Sequence, residues 1–262
     1  MTTELVFIID RSGSMEGLER DTVGGFNSML EQQKKVEGEA YVTTVLFDDK
    51  YEILHDRVNI KNVAPMTVDD YTVRGSTALF DAIGRTIHNI RKAQKTSGRD
   101  GKAMFFIITD GQENASHRYT AEMIRERIEH YRKDHGWEFV FFGANMDAVY
   151  EASLIGIPAN SASNYSSDSI GTHSAYSTMS AVSTAFRTNK HIPSQVSEEP
   201  QDIGGAFGHL KAMLNGLRDS AQKMQEDFRE LIDAANANGG KIPDVNELLR
   251  QALNEDDKEE KE

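Results

Sequence analysis

The sequence contains no cysteine among its 262 residues. Disulfide frameworks, zinc–thiolate sites and cysteine nucleophiles are therefore excluded for this chain. Positive charge is also scarce, because 29 lysines and arginines stand against 42 aspartates and glutamates, giving a formal net charge of −13. Such a chain repels nucleic-acid phosphates and anionic lipid headgroups, so we expect neither nucleic acid nor a membrane as a partner.

Long hydrophobic runs are missing as well. The first apolar run, residues 5–9, stops at Asp10 and has no basic segment before it. A signal peptide needs a longer apolar stretch, and a membrane helix needs about 20 apolar residues. Together with the absence of cysteine, this favours a cytoplasmic protein.

Short apolar runs alternate along the chain with helical patterns. Strands are predicted at residues 5–9, 40–47, 51–54, 103–109 and 137–142 and near Ile157, and helices at residues 18–35, 78–91, 120–134, 147–154 and 173–188. This alternation predicts an α/β fold with a doubly wound, mostly parallel sheet. A short turn at residues 48–50 predicts one antiparallel edge strand, and residues 56–76 are expected to form a long loop.

The pattern changes after the α/β domain, which we place at residues 1–189. Residues 190–206 are predicted as a linker, 207–254 as a helical tail and 255–262 as an acidic, disordered end. Apolar residues in the tail recur at spacings of three and four, the heptad pattern of a long helix. This helix either docks on the α/β domain or associates with a second chain, so the oligomeric state stays open.

Oxygen-bearing side chains occur where predicted strands give way to loops or helices. Asp10, Ser12 and Ser14 follow the first strand, Thr77 begins a helix, and Asp110 follows the most apolar strand. Ligands of open α/β sheets bind beyond the carboxyl ends of the strands, where the strand order reverses. If the two strands are neighbours there, both carboxylates and the three hydroxyls converge. These are hard oxygen donors, which suit Mg²⁺ or Mn²⁺.

Five protein oxygens leave at least one of about six octahedral positions for another ligand. Because only two of the five are anionic, we expect the ion to stay electrophilic and to prefer a carboxylate. The sequence therefore predicts that an Asp or Glu of a protein partner completes the site. Asp10 and Asp110 also suit ordinary turns, which is the alternative for each motif taken alone.

The motif DRSGS at residues 10–14, Thr77 and the motif TDG at residues 109–111 resemble the metal-ion-dependent adhesion site of von Willebrand factor A (vWA) domains. The resemblance covers roughly residues 3–189 and is to the bacterial, intracellular type. It implies a Rossmann-like vWA fold, a divalent cation and binding of another protein's acidic side chain. It also implies five ligands: the hydroxyls of Ser12, Ser14 and Thr77, and the carboxylates of Asp10 and Asp110, bound directly or through water.

An alternative function is a Mg²⁺-dependent phosphatase or phosphotransfer enzyme with Asp10 as the nucleophile. Phosphatases of the haloacid-dehalogenase type typically carry a second acid two residues later, where this chain has Ser12. No catalytic base or nucleotide-binding motif is evident, so we expect a binding module and not an enzyme. Asp81 either orients a metal-bound water or is simply solvated. Glu113 and Asn114 either rim the site or are exposed loop residues, and the second interpretation is favoured.

Overall fold

The computed structural model describes residues 2–98 and 101–188, which form six strands and five α-helices. In chain order these are β1 (Thr3–Asp10), α1 (Glu19–Lys35), β2 (Ala40–Phe47), β3 (Tyr51–Asn59), α2 (Leu79–Ser97), β4 (Lys102–Thr109), α3 (Ala121–His135), β5 (Glu138–Ala144), α4 (Ala148–Leu154), β6 (Ala162–Tyr165) and α5 (Ser169–Thr188). The linker, helical tail and acidic end predicted from residue 190 onward lie outside the described residues and stay predictions.

The strands form one sheet in the order β3-β2-β1-β4-β5-β6. The β2–β3 pair is antiparallel, and the other four pairs are parallel. The predicted fold class is confirmed: a mostly parallel α/β sheet with one antiparallel edge strand. The chain moves outward from β1 to β3 and then returns to the other side of β1, so the order reverses between β1 and β4. Their carboxyl ends therefore form the crevice that binds ligands in sheets of this kind.

Helices cover both faces of the sheet. On one face α2, α3 and α4 bury apolar residues against alternate positions of the strands, including Ile8, Ile107 and Phe141. On the other face α1 places Phe26 edge-on against Phe7 of β1, with ring centroids 5.5 Å apart. Side chains alternate between the faces of a strand, so both sides of the central strands are buried and their sequences are almost continuously apolar.

Two elements extend further than the sequence predicted. The edge strand β3 continues to Asn59, whereas a strand over residues 51–54 and a loop from residue 56 were expected. Its pairing with β2 is irregular, and Arg57 has a positive φ of 48°. An irregular edge strand of this kind tolerates charged residues that do not alternate with apolar ones. Helix α2 likewise runs to Ser97 and ends at Gly98, whose left-handed φ of 62° is typical of a helix end.

The prediction for the last strand was wrong. A strand was expected near Ile157, but β6 is formed by residues 162–165. Ile155 and Ile157 are both buried, yet their backbone N–H groups donate to the carbonyl of Ala152 and close the end of α4. An apolar pair therefore marks a helix terminus here, and the true strand is a polar segment paired with β5.

None of the helices that the structure describes is long and apolar enough to cross a membrane. The cytoplasmic location stays a prediction.

Candidate metal centre

Asp10 is the last residue of β1 and is fully buried. Its Oδ1 accepts a hydrogen bond from the Ser12 backbone N–H at 2.7 Å, and its Oδ2 accepts one from Thr109 Oγ1 at 2.5 Å. Because Thr109 ends β4, this contact brings the carboxyl ends of β1 and β4 together. The sequence argument required these two ends to be neighbours, and they are.

Three hydroxyls from two parts of the chain surround the open side of Gly111. Ser12 Oγ and Ser14 Oγ are 3.0 Å apart. A Cβ atom on Gly111 would lie 2.6 Å from Thr77 Oγ1, 3.1 Å from Ser14 Oγ and 3.4 Å from Ser12 Oγ. The three predicted hydroxyl donors therefore converge on one small space, and that space exists because residue 111 has no side chain.

Asp110 lies beside these hydroxyls, the nearest of which is that of Ser14. Both carboxylate oxygens are buried, and neither has a hydrogen-bond partner among the residues that the structure describes. Burial raises the pKa of Asp110, although the nearby hydroxyls of Ser14 and Ser167 partly oppose this. Burial also raises the pKa of Asp10 to about 6, and the charge of Asp110 adds to the effect. Two adjacent carboxylates in this state fit a site that a cation completes.

The donor set is chemically consistent with a hard divalent cation. Within residues 2–98 and 101–188, no group of three or more His, Asp or Glu side chains is arranged to hold a metal ion. The oxygens that meet at this edge come from two carboxylates and three hydroxyls. Mg²⁺ and Mn²⁺ accept such oxygen ligands, often through water, whereas zinc and copper prefer nitrogen or sulfur.

Thr77 is held in place by the loop that follows β4. The side-chain oxygen of Asn114 accepts from the Thr77 backbone N–H at 2.9 Å, and the Thr77 carbonyl accepts from the Asn114 N–H at 3.0 Å. Glu113 Oε2 accepts from the backbone N–H of Phe80 at 2.9 Å and so caps the first turn of α2. Asn114 is an exposed loop residue, as expected, whereas Glu113 is half-buried, and both residues position the segment that bears Thr77.

Asp81 has a role that neither sequence interpretation described. Its carboxylate accepts the backbone N–H groups of three consecutive loop residues, His117, Arg118 and Tyr119, at 3.1, 2.9 and 2.9 Å. It therefore fastens the loop before α3 to α2, and whether it also orients a metal-bound water stays a prediction.

Arg11 separates Asp10 from Ser12, and the sequence analysis gave it no role. It is buried, and its Nε donates to Asp48 Oδ2 at 3.0 Å, while Arg74 Nε donates to the same oxygen at 2.9 Å. Burial alone would raise the pKa of Asp48, but the hydrogen bond from Arg74 and the charge of Arg11 hold it below its usual range. This cluster joins the loop after β1 to the loop that leads to Thr77.

Tyr71 supports the site from within the long loop. Its ring is almost fully buried, and its hydroxyl donates to the backbone carbonyl of Asp10. The sequence offered no signal for this contact, because Tyr71 lies in a segment without periodicity.

Several solved structures resemble this arrangement of strands and helices. A von Willebrand factor type A protein from Catenulispora acidiphila matches with a TM-score of 0.51 and 14% identity, over 70% of this chain and 43% of that one. Proximal thread matrix protein 1 of the mussel byssus matches with a TM-score of 0.51 and 15% identity, over 70% and 46%. The von Willebrand factor domain of the type V pili tip protein Mfa5 from Porphyromonas gingivalis matches with a TM-score of 0.52 and 10% identity, over 74% of this chain and 98% of that domain.

The chain thus spans less than half of the first two proteins and nearly all of the third domain. No model of a known protein family matches the sequence, and no curated protein does. At these identities the likeness concerns the fold, and it establishes that the described residues adopt the vWA fold predicted from the sequence.

Proposed function

We propose that this chain is a divalent-metal-dependent protein-binding module. Its metal ligands are the carboxylates of Asp10 and Asp110 and the hydroxyls of Ser12, Ser14 and Thr77, which hold Mg²⁺ or Mn²⁺. The observation that supports this most directly is the buried carboxylate of Asp110, which has no hydrogen-bond partner among the described residues. A buried charge in that state is costly unless a cation neutralises it.

A partner's carboxylate is the best candidate for the remaining coordination position. Asp10 already shares its charge with the Ser12 N–H and the Thr109 hydroxyl, and the three hydroxyl donors are neutral. Ser14 is exposed whereas Asp10 is fully buried, so the site is accessible from the Ser14 side. An ion held by few anionic groups and reachable from solvent attracts an anionic ligand, which an Asp or Glu side chain supplies.

The phosphotransfer alternative has less support. An aspartyl nucleophile must be within reach of the phosphorus of a substrate, yet Asp10 is 0% exposed. The second acid typical of such phosphatases is replaced by Ser12. Metal-dependent hydrolysis of p-nitrophenyl phosphate that disappears in Asp10→Ala would nevertheless reverse this ranking.

The proposal also includes that the module is of the bacterial, intracellular type.

Metal binding is tested by calorimetric titration of the full chain with Mg²⁺ and with Mn²⁺. Wild type is expected to bind one ion, and Asp110→Ala is expected to bind none. The matched control is Asp134→Ala, which removes an exposed aspartate of α3 and leaves binding unchanged. At about 100 times the dissociation constant, the ion stabilises the fold by about 2.7 kcal/mol. No binding by wild type, or equal binding by Asp110→Ala, contradicts the proposal.

The open coordination position has its own test. Mn²⁺ that keeps an exchangeable water enhances the relaxation of solvent protons, and a carboxylate that replaces this water lowers the enhancement. A short peptide with one Glu is expected to lower it, whereas the same peptide with Gln is not. Bound Mn²⁺ without exchangeable water would show that the chain itself closes the site, and partner recognition through the ion would then be wrong.

A further inference from the structure

Tyr165, the last residue of β6, lies in line with Asp110 across the sheet. Tyr165 is opposite Ala144 of β5, and the preceding residue of β5, Gly143, is opposite Thr109 of β4. Asp110 follows Thr109 and therefore continues the same row. With strands about 4.8 Å apart, the backbones of Asp110 and Tyr165 are roughly 10 Å apart, close enough for the Asp110 charge to act on the Tyr165 hydroxyl.

The two side chains also point to the same face. Ile107, Phe141 and Ala162 form a row that packs against α2, α3 and α4. Side chains alternate along a strand, so Asp110 and Tyr165, each three positions later, point to the opposite face, toward α1 and α5. The two residues therefore share a row and a face, and the charge of Asp110 acts on the Tyr165 hydroxyl.

Tyr165 and Asp110 have complementary hydrogen-bonding needs. The Tyr165 hydroxyl oxygen is buried and, like both Asp110 oxygens, has no hydrogen-bond partner in the part of the chain that the structure describes. Burial raises the pKa of Tyr165, and the charges of Asp110 and Asp10 raise it further. The hydroxyl therefore keeps its proton and is a donor, whereas an ionised carboxylate only accepts.

The neighbouring tyrosines do not meet this need. The Tyr71 hydroxyl already donates to the Asp10 carbonyl. Tyr176 on α5 is also buried, and burial followed by the proximity of Tyr165 raises its pKa, with no contribution from either carboxylate. Among these three tyrosines, Tyr165 is thus the one that faces the acids with an uncommitted proton.

We propose that Tyr165 is a positioning residue of the metal site, whose hydroxyl is hydrogen-bonded to Asp110 through one buried water. This hydrogen bond fixes the carboxylate so that one oxygen faces the ion and the other faces Tyr165. The inference rests on the metal-binding function proposed above. Hydrogen bonds that orient ligating groups typically change metal affinity by about 10–100-fold when they are removed.

The first measurement compares Mg²⁺ and Mn²⁺ affinities of Tyr165→Phe and Tyr176→Phe by calorimetry. Both changes remove one buried hydroxyl and keep the ring, so the packing is matched. Tyr165→Phe is expected to weaken binding by about 10–100-fold, and Tyr176→Phe is expected to bind like wild type.

The second measurement needs no metal. In the presence of a chelator, unfolding free energies are determined for wild type, Tyr165→Phe, Asp110→Ala and the double variant. A hydrogen bond between the two groups makes the effects non-additive, whereas a purely structural role of the Tyr165 ring makes them additive. Asp110→Ala is expected to fold, because it removes a carboxylate that has no hydrogen-bond partner among the described residues.

Normal metal binding by Tyr165→Phe, or additive effects in the chelator, would overturn the role given to Tyr165 and leave the metal-binding function intact. Failure of wild type itself to bind either ion would instead overturn the proposed function and, with it, the effect of Tyr165 on the ion.

Discussion

The two faces of the sheet differ in whether their buried polar side chains have hydrogen-bond partners. Under α2, α3 and α4, the buried polar side chains are paired: Thr86 Oγ1 donates to the Ala82 carbonyl at 2.7 Å, and Gln94 donates to the Gly101 carbonyl at 3.0 Å. Under α1 and α5, several hydroxyls are buried without a partner among the described residues. They belong to Thr22, Thr172, Tyr176 and Ser183.

The comparison shows that burial of a polar group and its hydrogen bonding contribute separately to the free energy of unfolding. A buried polar group with a partner adds about 1 kcal/mol, whereas one without a partner subtracts about 1–3 kcal/mol. Asp110 and Tyr165 face the same side as the unpartnered hydroxyls. The metal edge therefore borders a core with several unpartnered hydroxyls on the α1 and α5 side and a core whose buried polar groups are paired on the other.

The largest expected effect comes from removing one phenylalanine on each face. Phe105 stacks on Phe139 and Trp137, with centroid distances of 4.6 and 5.2 Å, so Phe105→Ala is expected to destabilise by about 3–5 kcal/mol. Phe26→Ala on α1 is expected to lose less, because the cavity borders Tyr176 and can admit a water that its hydroxyl binds. Urea unfolding measures both, and an equal or larger loss for Phe26→Ala would remove the contrast.

A smaller effect is expected where a paired carboxylate fastens α2 to its loop. Burial alone would raise the pKa of Asp81, but the N–H groups of His117, Arg118 and Tyr119 lower it overall. Because its pKa is lowered in the folded state, Asp81 stabilises the protein at pH values above its unfolded pKa of about 3.9. This stabilisation is lost as the pH falls through the folded pKa.

Asp81→Asn is therefore expected to cost about 1 kcal/mol at pH 7 and to flatten the decline of stability below pH 4. Unfolding titrations of both proteins between acid and neutral pH check this. An unchanged acid decline in Asp81→Asn would mean that the loop contacts carry no net stabilisation.

The smallest effect is also the sharpest test of the contrast, because it compares the same substitution on two helices. Thr86 and Thr172 are both buried, but only Thr86 has a hydroxyl partner among the described residues. Thr86→Val is expected to destabilise by about 1 kcal/mol, and Thr172→Val to stabilise slightly or leave stability unchanged. Destabilisation of both variants to the same extent would show that Thr172 is satisfied by water and that the two faces are alike.

The architecture could be predicted because its evidence is local. Buried parallel strands are almost continuously apolar, so β1, β4 and β5 stand out, and helix α2 shows its apolar face at regular spacing. Four of the five proposed ligands end a strand or follow one closely, so the strands alone place them at one edge, whereas Thr77 lies two residues before α2.

Contacts between distant loops could not be predicted in the same way. Arg11 and Asn114 act through Asp48 and Thr77, which are far from them in sequence and share no period with them. Strand β6 has few apolar residues because backbone pairing with β5 suffices to hold it. Since Tyr165 belongs to that strand, its alignment with Asp110 was also hidden from the sequence.

The space for an ion in this site depends on the absence of a side chain at Gly111. The proposed ligands of this centre come from three stretches of chain, yet the room between them depends on a position that supplies no ligand. One methyl group there would fill the cradle while every oxygen donor stayed in the sequence. A chain of this fold is thus capable of displaying the full ligand motif and still being unable to accommodate an ion, so the residue after the second aspartate belongs in any definition of the motif.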